Sequence, residues 1–187
     1  MIAIYVYALP SKPVPSVDKR ALRYNFQLAG NDISGDCTLA AALNAEVVWH
    51  GGDWKGFPKT SWVVNEYETT TGWQNLGMSM DTLINVWKGG IAGTAVKGDA
   101  KITFNKSRIE TAIWRRGAVF YQGNVPEMLP GNVWTTWNAP AEPNNLHMYL
   151  MVGYNGSAVL MESWGETFWV SWQWAAENVD MVYVVDK

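Results

Sequence analysis

The sequence has one cysteine and two histidines among its 187 residues. A lone cysteine excludes an intramolecular disulfide, and with it the small secreted scaffolds that depend on such staples. One Cys and two widely spaced His also give neither a cysteine-rich zinc set nor a histidine pair on one helix, so no metal is expected. Long apolar runs are missing too. The stretches Leu39 to Leu43 and Ala118 to Tyr121 fall far short of the ~20 residues that cross a bilayer. Met1 to Tyr7 is apolar, but Pro10, Pro13 and Pro15 follow at once, with no charged start and no small-residue cleavage site, so no signal peptide is expected. Basic excess is absent as well. With 14 Lys and Arg against 17 Asp and Glu, the net charge of −3 offers no surface for phosphate neutralisation, and nucleic acid is not an expected partner. The glycines of Gly89-Gly90-Ile91-Ala92-Gly93 follow a helical pattern rather than a strand, which makes them a helix end and not a phosphate loop. No cofactor is expected.

What is present is a chain that should fold throughout. An apolar fraction of 48% against 17% charged, without charge blocks or low-complexity segments, is ordinary for one globular domain of this length. Twelve Trp is a large number, and Trp is favoured where an apolar body and a polar handle are needed together, as at clefts.

Ile2, Ile4 and Val6 alternate with Ala3, Tyr5 and Tyr7, which predicts a short strand ended by the prolines. A helix follows, capped by Ser34 or Asp36, with Leu39, Ala40, Leu43, Val47 and Val48 as its apolar stripe and Gly51-Gly52 as its stop. A second helix is predicted over Asp81 to Trp87. A third starts at the capping box of Ser107 and Glu110 and runs to Arg116, with a buried strand from Ala118 to Gln122 after Gly117. Gly123 to Leu146 carries Pro126, Pro130, Pro140 and Pro143 and reads as a long ordered loop. From His147 the pattern is β: His147 to Tyr154, Gly156 to Ser163 beyond a turn at Asn155-Gly156, Phe168 to Trp174, and Met181 to Val185. Helices first and antiparallel strands last is the α+β arrangement.

Cys37 sits in the first turn of the Ala-rich helix, where unpaired amides and the helix dipole favour a thiolate. The plainer reading, a small apolar residue at a helix start, stands beside it on position alone. A thiol nucleophile needs a base. His50 lies at the far end of the same helix, ~20 Å away by helix rise, so it cannot reach the thiol. His147 opens a strand after the long loop, where another part of the chain can present it to Cys37.

The text around both residues resembles the papain-like cysteine peptidases. Asn31 stands six residues before Cys37-Thr38, and His147-Met148-Tyr149-Leu150-Met151-Val152-Gly153-Tyr154 is followed by Glu162-Ser163-Trp164-Gly165. The family pattern has a Gln before the Cys, the Cys at a helix start, a His leading into a strand that ends in Gly-Tyr, and then Asn-Ser-Trp-Gly. The resemblance covers roughly residues 30 to 50 and 109 to 175. Cys37 and His147 are 110 residues apart, shorter than the ~130 of plant and lysosomal members, and so nearer to the compact bacterial and phage members of the peptidase C39-like type.

The resemblance implies Cys37 as nucleophile, His147 as base, Glu162 in place of the family Asn as the acceptor of the imidazole N–H, and Asn31 in place of the Gln as oxyanion donor. Trp164 is then the indole that shields His147 and borders the substrate. The implied fold is one papain-like domain over residues 1–187, with a mainly helical lobe to about 106 and an antiparallel sheet or partial barrel from about 107. The implied function is amide hydrolysis through a thioester, on a polypeptide or on a peptidoglycan peptide, by a cytoplasmic or phage-associated protein. A non-catalytic peptide-binding protein of the same fold is the alternative.

Overall fold

The computed structural model describes residues 13–18, 24–126, 133–136 and 138–187. In chain order its elements are α1 (Cys37–Trp49), α2 (Thr60–Thr71), α3 (Met80–Gly89), β1 (Gly98–Ile102), α4 (Lys106–Arg116), β2 (Val119–Pro126), β3 (Ala141–Tyr154), β4 (Ala158–Ser163), β5 (Glu166–Ser171), α5 (Trp172–Glu177) and β6 (Val179–Asp186). The strand expected over Ile2 to Val6 lies outside the described residues, as does part of the segment Gly123 to Leu146.

The strands form one antiparallel sheet in the order β1-β6-β2-β3-β4-β5. Side chains alternate between its faces, and both faces are covered over β2, β4 and the part of β3 from His147 onward. Met148, Leu150, Val152 and Leu160 pack with α1, α2 and α3 on one side. Tyr149, Met151, Val159 and Met161 pack with Ile109 and Ile113 of α4 and Trp174 of α5 on the other. Two buried faces explain why β3 reads as a nearly continuous apolar run.

Every residue of α1 from Thr38 to Val48 is buried, a wider face than the expected stripe. Ala40, Ala41, Ala42 and Ala45 are the reason: small side chains on all sides let the helix be enclosed between the sheet and its neighbours. Gly153 has a similar steric role. A Cβ there would run into the Val17 carbonyl, whose residue exchanges two backbone hydrogen bonds of 2.8 and 2.7 Å with Tyr154.

Three local expectations are corrected, and one strand is added. The α4 helix is capped by Asn105, whose side chain accepts from the Arg108 amide at 3.1 Å, and not by Ser107, which lies inside the helix; Asn caps as well as Ser. β3 begins at Ala141, so the second part of the expected loop is strand, paired through Leu146 with Asn124. The expected strand over Phe168 to Trp174 stops at Ser171, whose side chain accepts from the Trp174 amide and starts α5. Residues 98–102 form β1, which pairs with β6.

Candidate active site

Cys37 is the first residue of α1. The loop before it is anchored by Asn75, whose Oδ1 accepts the Gly35 amide at 2.6 Å and the Tyr67 hydroxyl at 3.3 Å. Thr38 donates its hydroxyl to the Met78 carbonyl at 2.7 Å. These bonds hold the start of α1 against residues 75–78, of which Leu76, Gly77 and Met78 line one wall of a cleft of about 640 Å³. Cys37 and His147 both line it. Its floor crosses the sheet through Met148, Gln122, Met181, Tyr183 and Lys101.

His147 lies on β3 and is 8% exposed. Its ring stacks on Trp164 at 4.4 Å and 17° and meets the Tyr149 ring edge-on at 4.7 Å. Its Nε2 is 2.6 Å from Ser163 Oγ. Trp164 has φ 54° and Gly165 φ 76°, and Ser163 pairs with Glu166, so these two residues form a tight hairpin turn of the kind that requires positive φ at both central positions. Holding a bulky non-glycine residue there is unfavourable. It lays the indole flat on the imidazole. Gly165 is required for a second reason, since a Cβ would lie 3.0 Å from the Leu28 nitrogen.

Glu162 does not meet His147. Its carboxyl group accepts from Asn44 Nδ2 at 3.0 Å, and the same Nδ2 donates to the Gln27 carbonyl at 2.8 Å while Asn44 Oδ1 takes the Gln27 amide at 3.0 Å. No hydrogen bond joins Glu162 to His147 among the described residues. Strand parity is the reason. Glu162 faces α1 with Leu160, and Ser163 faces the opposite side with Met161. The residue of the Glu-Ser-Trp-Gly motif that touches the imidazole is therefore Ser163, which sequence reasoning passed over; the alternation of β4 was the signal available for it.

Asn31, Cys37, Asn44, Glu162, Ser163 and Trp164 line one narrow crevice beside the main cleft. Cys37 belongs to both spaces. His50 follows α1 at its other end, its Nδ1 2.8 Å from the Glu46 carbonyl. No cluster of three or more metal-ligating side chains occurs among the described residues.

Burial dominates the electrostatics. It pushes the Cys37 thiol up, against the opposing pull of the Met148 backbone amide, and lowers His147 to about 3. The thiolate favoured by a helix start is thus outweighed by desolvation. At neutral pH the pair rests as thiol and neutral imidazole. Burial also raises Glu162 well above the carboxylate range, with the Gly165 amide acting the other way.

A protonated carboxyl and a carboxamide each offer one donor and one acceptor side. Glu162→Gln is therefore expected to change stability by less than about 1 kcal/mol, whereas Glu162→Leu leaves an Asn44 N–H buried without a partner and costs about 1–3 kcal/mol. Urea midpoints at pH 7 measure both. Equal losses in the two variants would mean that Glu162 is buried as an anion.

The architecture has a counterpart of known structure. Over 94% of this chain and 87% of the other, it superposes on the crystal structure of xylellain, a cysteine protease from Xylella fastidiosa, with a TM-score of 0.63 and 12% sequence identity. The fold is papain-like. No family model and no curated protein sequence matches the chain. In this papain-like frame α1 is the central helix, packed on β3, and the cleft opens where its first residue meets the His147 strand. Among the described residues no helix is long and apolar enough to cross a membrane.

Proposed function

We propose that this chain is a cysteine hydrolase that cleaves amide bonds of polypeptides, with Cys37 as nucleophile and His147 as general base. The observation that carries the reading is that these two side chains, 110 residues apart in sequence, line one cleft at the start of the central helix, in a fold shared with a cysteine protease. Because the resting pair is neutral, His147 takes the thiol proton as the sulfur attacks the carbonyl carbon. The Cys37 backbone amide, at a helix position with no intrahelical acceptor, and the Asn31 carboxamide receive the developing oxyanion. The imidazolium then protonates the leaving amine, a thioester remains, and His147 activates the water that cleaves it. The short Cys-His interval supports a compact enzyme of the peptidase C39-like type; the alternative is a phage-type amidase or endopeptidase that cleaves peptidoglycan peptides.

The burial of the pair favours a second reading, a peptide-binding protein without turnover, because it raises the thiol and lowers the imidazole and so opposes a preformed ion pair. Incubation with an unfolded protein and, separately, with purified bacterial wall distinguishes the possibilities. Iodoacetamide modifies only Cys37, the sole cysteine. New peptide N-termini that no longer form after this alkylation support the hydrolase. Clearing of wall turbidity without proteolysis assigns the peptidoglycan substrate, and peptide binding with neither activity assigns the second reading.

A further inference from the structure

We propose that Ser163 is the positioning residue of His147, in the place that sequence resemblance gives to Glu162. The inference deepens the proposed hydrolase and rests on it for its kinetic readout alone. Three contacts determine the imidazole. Trp164 lies parallel to the ring at 4.4 Å, Tyr149 closes on it at 4.7 Å and 71°, and Ser163 Oγ holds Nε2 at 2.6 Å. Nδ1 is left without a partner among the described residues, on a ring that borders the cleft with Cys37.

A base that accepts the thiol proton needs a lone pair on the free nitrogen, so the proton of the neutral ring must reside on the other. Ser163 Oγ accepts the Nε2–H and thereby selects that tautomer. A hydroxyl carries no charge. It orients the ring without stabilising imidazolium, which agrees with a buried His147 that stays neutral through the physiological range. Ser163 itself is 4% exposed, so water does not replace it easily.

The test uses the full chain labelled with 15N-histidine, with His50 signals identified by their loss in His50→Ala. The chain as it stands is expected to report the Nε2–H tautomer at His147. Ser163→Ala is expected to mix the tautomers and to lower kcat by roughly 10²-fold with little change in KM, within the range a general base contributes. Ser163→Thr, which keeps the hydroxyl, is expected to restore both readouts. A wild-type Nδ1–H tautomer, or a Ser163→Ala chain with unchanged tautomer whatever its kcat, overturns the proposal. If the unaltered chain hydrolyses nothing, the hydrolase reading fails, and the tautomer still decides the role of Ser163.

Discussion

Cys37→Ala is expected to abolish amide hydrolysis, a loss of at least about 10⁴-fold in kcat, while leaving folding almost unchanged. The kinetic size follows from removing a nucleophile on which the other groups act as a unit. Stability is spared because the substitution removes one sulfur from a partly buried helix start, and Ala is favourable in helices. Cys37→Ser is expected to be inactive as well: a hydroxyl is a far weaker acid than a thiol, and this imidazole, lowered to about 3, is too weak a base to make up the difference. His50→Ala is expected to retain turnover, because His50 stands at the far end of α1, against Glu46 and Trp54. Steady-state rates on the substrate that the incubations with unfolded protein and bacterial wall identify, with unfolding midpoints for each variant, check all three. Hydrolysis surviving in Cys37→Ala would remove the nucleophile assignment outright.

The second large effect concerns Asp36, the residue before Cys37. Its side chain makes no cap bond to α1 and is fully buried, and burial raises its carboxyl from 3.8 to about 7, with Ser34 opposing and Asp32 adding to the rise. An acid raised by folding holds a proton that the unfolded chain releases, so stability declines as pH rises from about 4 to 7. Glu162 acts in the same direction. His147 acts oppositely: the unfolded chain takes up a proton below 6.5 that the folded ring refuses down to about 3, so its contribution is lost as pH falls through that window. Asp36→Asn keeps the shape and removes the ionisation. At about 1.4 kcal/mol per pKa unit, it is expected to raise stability at pH 7 by up to about 4 kcal/mol and to change little at pH 4. Urea denaturation at the two pH values measures this, and a variant less stable than the parent at pH 7 would show that the carboxylate is paired when ionised.

The sequence by itself determined the chemical candidates. One cysteine at the start of an Ala-rich helix left a single thiol to consider, and the helix rise that separates Cys37 from His50 left His147 as the candidate base. The period-2 and apolar-run patterns placed β2, β3 and β4, and the order of elements indicated an α+β fold, because these are local signals that survive without knowledge of partners. What only the tertiary structure decided were matters of parity and desolvation. Glu162 and Ser163 are neighbours in sequence but face opposite sides of β4, so a one-residue difference transfers the contact with His147 from a carboxylate to a hydroxyl. Ser171 was hidden as a cap because the apolar run continues across it into α5. The charge state of the pair was equally out of reach: a helix start argues for a thiolate, and only the depth to which α1 and β3 bury Cys37 and His147 reverses that, since the cost of desolvating an ion depends on every element packed around it.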